Sequence, residues 1–105
     1  MGWKGSDPVP GPTAGQVLDS LDFTHGRPVT VMVVLTSPGP FQAILRVRQV
    51  NNRIARSMVL ASAGGTVALG PFPDVYVGAG ETLEVLSRDL AVGEHQATLF
   101  VRDGR

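Results

Sequence analysis

The chain has no cysteine and only one lysine, one tryptophan and one tyrosine. Without cysteine there is no disulfide framework and no thiolate metal site. Charged residues make up 17% of the sequence, below the roughly 25% usual for soluble proteins. Such a surface carries neutral and apolar patches, which often become subunit contacts. Nine basic residues balance nine acidic ones. That excludes bulk electrostatic attraction to nucleic acid or to an anionic membrane. Aromatic residues make up 6% and do not alternate with basic ones, as single-strand binding requires. The longest apolar run, residues 31–35, is far short of a membrane span. The opening MGWKGSDPVP lacks an apolar core, so no signal peptide is expected. No window shows a helical period.

Glycine and proline are concentrated at the start. Residues 1–16, MGWKGSDPVPGPTAGQ, read as an extended arm, and residues 17–105 as one domain. The arm has too little apolar surface to order itself. It is expected to be held by its own domain or by a neighbouring subunit. Trp3 has no local core to fill, and aromatic anchors carry much of the energy at interfaces. Trp3, with Lys4, Pro8, Pro10 and Pro12 along the same arm, is therefore expected at a partner contact. The prolines lower the entropy lost when the arm is fixed.

The rest reads as about seven or eight short strands separated by turns, which predicts an all-β antiparallel sandwich or small barrel. Residues 17–23 are expected to form a short first strand, the alternative being one helical turn. Residues 29–35 (VTVMVVL) are nearly continuous in apolar character, as in a strand covered on both faces or a central one. Ser37-Pro38-Gly39-Pro40 stops that strand. In residues 41–50, Phe41, Ala43, Leu45 and Val47 share one face, and Gln42, Ile44, Arg46 and Arg48 the other. A two-residue Asn51-Asn52 loop then sets Leu45 opposite Met58, Ala43 opposite Leu60 and Arg48 opposite Ala55. The predicted core face is Phe41, Ala43, Leu45, Val47, Met58 and Leu60. Residues 66–69 and 74–77 read as two strands flanking a Gly70-Pro71-Phe72-Pro73 bend. Residues 81–87 and 96–102 read as the last two.

Little in the sequence points to catalysis. Gly78-Ala79-Gly80 after an apolar strand resembles the start of a dinucleotide-binding fingerprint, but the third glycine position is Leu83 and no helix follows. Asp19, Asp22, His25, Glu94 and His95 form a metal site only if the first and last loops meet. Ser20 and His25 lack any nucleophile elbow. No cofactor, metal or small-molecule substrate is expected, and the chain is read as non-enzymatic. Arg46 and Arg48 share a strand face, with Arg53 and Arg56 across the hairpin. They read either as a patch for an acidic protein surface or phosphate, or as a solvated face with stems along the sheet.

The run GPFPDVYVGAGETLEVLSRDLAVGEHQATLFVRD, residues 70–103, resembles the C-terminal half of small all-β virion proteins of tailed phages. The likeness is one of pattern: proline and valine before a Gly-x-Gly turn, then a closing strand ending in Phe-Val. It implies a head decoration or cement protein on the capsid surface. Such a protein is a homo-oligomer, a trimer by preference, bound to a major capsid-type protein with its arm clasping neighbours. No functional residue carries over, because the pattern holds no functional motif. The alternative reading is a carbohydrate- or receptor-binding module of tail or adhesin type.

Overall fold

The computed structural model describes residues 7–103 as eight β-strands without helix. They are β1 (Val9–Pro10), β2 (Val17–Asp22), β3 (Arg27–Ser37), β4 (Phe41–Arg48), β5 (Ile54–Ser62), β6 (Gly65–Val77), β7 (Thr82–Ser87) and β8 (Glu94–Asp103). The pairings β4–β5, β3–β6, β2–β7 and β1–β8 are nested and antiparallel. They describe one long ribbon that turns between β4 and β5. The ribbon rolls up so that β8 also meets β3 and β7 also meets β4. Two four-stranded sheets result, ordered β1-β8-β3-β6 and β2-β7-β4-β5. This strand order is that of the jelly-roll sandwich.

The core lies between the sheets. Val29, Val31, Val33 and Leu35 of β3 face Leu83 and Val85 of β7 and Ala43, Leu45 and Val47 of β4 in one buried cluster. The β-branched run thus fills one face of a central strand. Its alternate residues, Met32 and Val34 among them, are half-buried, so β3 is not covered on both faces. The strand buried throughout is β7. Of its outward residues, Glu84 is covered by Arg46 and Arg48 of β4 and Thr82 is hydrogen-bonded to Asp22 of β2, a covering that no alternation in its own sequence encodes.

Two other expectations change. The Gly70–Pro73 segment does not divide two strands. β6 runs through it as one strand, and irregularities in its pairing with β3 absorb the bend. Gly70 takes φ +112°, and a Cβ there would lie 2.9 Å from the Val31 carbonyl oxygen, so glycine is required. The β4–β5 loop has three residues, Val50, Asn51 and Asn52, closed by Gln49 N–H to Arg53 O (2.7 Å) and Asn52 N–H to Gln49 O (2.9 Å). Asn52 takes φ +68°, as such loops demand of their last residue. Arg48 consequently faces Ile54, not Ala55. Ala55 is bulged out, which restores the expected Leu45–Met58 and Ala43–Leu60 pairs.

The arm is docked on its own domain as far as it is described. β1 pairs Val9 with His95 and Pro10 with Glu94. Beyond it Gly11 N–H donates to Gly93 O, Ala91 N–H to Pro12 O and Gly15 N–H to Ser87 O, at 2.8–2.9 Å. Backbone bonds to residues 87–95 hold the segment, together with Val9 packed on the core and the Pro12 ring. Pro12 is fully buried. Its expected place at a partner contact is therefore corrected: it is part of the chain's own interior. Pro8 and Pro10 stay on the surface. Trp3 and Lys4 lie outside the described residues.

The β1–β2 side of the sandwich is also sealed by a carboxylate. β8 has a strand neighbour on that side only at Glu94 and His95. Further along, buried Asp19 of β2 reaches across, and its Oδ2 accepts the Leu99 N–H at 2.9 Å. Among the described residues no helix is long and apolar enough to cross a membrane. Asp19→Ala strands the buried Leu99 N–H. It is expected to cost about 2 kcal/mol and to lower Tm by roughly 10 °C. A chain starting at Gln16 loses Pro12 and three loop bonds, and is expected to melt at least as much lower. Thermal melts followed by circular dichroism check both.

Candidate assembly surface

The outer face of the β2-β7-β4-β5 sheet carries the arginines singled out in the sequence. β4 alternation puts Arg46 and Arg48 on that face, and the β4–β7 register brings both beside Glu84. Glu84 has only 1% of its side chain exposed. It receives Arg46 Nε at 2.5 Å and Arg48 Nε at 3.4 Å. Arg48 Nη1 also donates to Asn52 Oδ1 at 3.1 Å, tying the β4–β5 loop to the sheet. The arginine stems lie over the carboxylate and shield it from water. Two guanidiniums around one carboxylate leave a single net positive charge, so this face is mostly internally compensated.

Arg53 and Arg56 do not join that cluster. Arg56 pairs with Val47 and so stands on the core side of its strand, while Arg53 lies in the loop. Arg56 lines a groove of about 410 Å³ between β5 and β6, where the sheets splay apart. Its apolar walls are Leu45, Val47, Met58, Phe72, Val75 and Leu83. Met58, placed in the core by the sequence reading, is 42% exposed there. Its alternation is right. β5, however, is an edge strand beside an open groove, and no described residue covers Met58 there.

β5 is the exposed feature the sequence reading missed. Residues 54–59 are all exposed and include Ile54, Met58 and Val59. The sequence alone does not show that IARSMVLAS lies at an edge. The signal is an apolar strand holding neither proline nor glycine beside a hairpin turn.

A second hollow, about 770 Å³, lies at one end of the sandwich between the Pro38–Pro40 and Asp89–Val92 segments. His95 sits beneath it, buried, with its ring 4.4 Å from that of Phe41 and Nδ1 2.9 Å from Gly93 O. Ser62 Oγ accepts the Gly64 N–H. These polar groups serve the loops around them. Asp19, Asp22 and His95 serve separate partners: Leu99, Thr82 and Gly93. No group of three or more His, Asp or Glu side chains able to hold a metal ion occurs among the described residues.

The buried carboxylate sets an order of stabilities. Glu84→Gln leaves two partly exposed guanidiniums that water solvates, and is expected to cost about 1–2 kcal/mol. Arg46→Met with Arg48→Met keeps an apolar cover over Glu84 but removes both countercharges, and is expected to cost about 3–5 kcal/mol. Urea melts check this, and an arginine double variant no weaker than Glu84→Gln contradicts it. Comparison with family models, with curated proteins and with solved structures finds no match for this chain.

Proposed function

We propose that this chain is a non-enzymatic structural module of a symmetric assembly, binding its neighbours through sheet edge and sheet surface. The observation that carries this reading is β5, a long apolar edge open to solvent beside an apolar groove. Monomeric proteins blunt such edges, because an open one templates pairing with another chain. The fold lends support by analogy, since jelly rolls recur in viral capsid and lectin domains.

The finer reading is a capsid decoration or cement protein of a tailed phage, homo-oligomeric and seated on a major capsid-type protein. It rests on the resemblance of residues 70–103. In that role the compensated face around Arg46 and Arg48, with Asp22 beside them on Thr82, offers the shell a rigid and nearly neutral ion cluster. The carbohydrate-binding alternative shares the fold analogy. Sugars favour aromatic platforms, however, and the only aromatic side chain classed as exposed among the described residues is Tyr76.

The test is sedimentation velocity on the full chain over a rising concentration series. A defined oligomer whose share grows with concentration is expected. A chain that stays monomeric into the millimolar range overturns the reading.

A further inference from the structure

We propose that the β5 edge is completed by the β5 edge of a second copy, related by a two-fold axis through Ser57. This rests on the assembly reading and names its contact. The two β2-β7-β4-β5 sheets then join as one continuous eight-stranded sheet, with the strands of the second copy in reverse order.

The occupant follows from which edges are free. The sandwich has four edge strands: β1, β6, β2 and β5. β1 has two residues, one of them Pro10. β6 carries Pro71 and Pro73 mid-strand, and neither has an N–H to offer. β2 is turned toward β8 through the Asp19–Leu99 bond. Among the described residues, only β5 offers a long run without proline, glycine or a covering segment. With one free edge per copy, the strand contact between copies must be isologous, β5 against β5. Such a contact closes at two copies. A trimer built through strands needs two unlike free edges, and the second is missing. The balance of nine basic and nine acidic residues means that two copies meet without net repulsion.

The register follows from pleat and charge. In antiparallel pairing, residues directly opposite point to the same side of the sheet. A two-fold axis normal to the sheet must therefore pass through a residue facing its own copy. The exposed run, residues 54–59, has Arg56 and Ser57 at its middle. An axis at Arg56 sets two guanidiniums directly opposite, which destabilises. An axis at Ser57 faces two small hydroxyls. It also pairs Arg56 with Met58 of the other copy. Met58 and Arg56 both line the groove, so each copy lays its Met58 along the other's Arg56 stem at the groove mouth.

The experiment uses the absence of native cysteine. Opposed Cα atoms in an antiparallel pair lie about 4.5–5.5 Å apart, inside the roughly 4.4–6.8 Å span of a disulfide. Ser57→Cys is expected to give a covalent dimer under mild oxidation. Ser20→Cys, exposed on β2, is expected to stay largely monomeric. Met58→Lys sets like charges opposite Arg56 twice per dimer, and Met58→Glu sets opposite charges there. Their dimer dissociation constants are expected to lie on either side of that of the parent chain and to differ by about tenfold. An oligomer that resists both changes at Met58, and whose Ser57→Cys form links no faster than Ser20→Cys, overturns the β5 pairing and leaves the assembly reading standing. A full chain monomeric throughout overturns both.

Discussion

The rolled ribbon closes where β8 lies against β3, and the rest of the molecule depends on that contact. The nested pairs β1–β8, β2–β7, β3–β6 and β4–β5 alone make a long flat ladder with two bare faces. Such a ladder buries little. When β8 meets β3 and β7 meets β4, the ladder doubles over and its two apolar faces come together. Val31, Val33 and Leu35 then lose all contact with water, as do Leu83, Val85 and Ala97. Each buried valine or leucine side chain contributes about 1.5–3 kcal/mol by leaving water. Backbone entropy opposes this at a comparable scale, so the fold depends on closing the seam fully.

Closing the seam forces polar groups inward, and each is answered. β8 outruns β1, so its edge beyond His95 lacks a strand; Asp19 supplies the acceptor instead. β7 sits between β2 and β4, so its outward Glu84 is covered; Arg46 and Arg48 supply the countercharges. An unpaired buried carboxylate or amide is costly. These pairings therefore fix which strands sit side by side. The glycine- and proline-rich arm belongs to the same repair. It lines up along residues 87–95 and satisfies backbone groups that the short β1 leaves open.

The two sides of the sandwich end up chemically different. The β1–β2 side is sealed by the arm, Pro12 and the Asp19 bridge. The β5–β6 side is splayed, with Met58, Phe72 and Val75 around an open groove. Among the described residues, β6 is protected by its prolines and β5 only by Arg56, which lines the groove. An inward charge is one of the devices that discourage uncontrolled edge pairing. In the proposed pairing of two β5 edges it would also select one register over another, because two arginines resist direct opposition. Among the described residues, the backbone edge is covered on one side and open on the other.

The sequence by itself determined the fold class, most strand positions and the hairpin register at Leu45–Met58 and Ala43–Leu60. These follow from local pattern: period-two alternation, β-branched runs, and glycine, proline or asparagine at turns. It also determined which residues of β4 face inward, since alternation needs no knowledge of neighbours. Tertiary structure alone decided the strand order, the burial of β7 on both faces, and the meeting of Glu84 with Arg46 and Arg48 from 36 to 38 residues away. It alone decided that Pro12 is interior and Met58 exposed. The reason is common to all of these. Whether a strand is central or at an edge depends on which distant segments lie beside it, and no window of the chain contains that information.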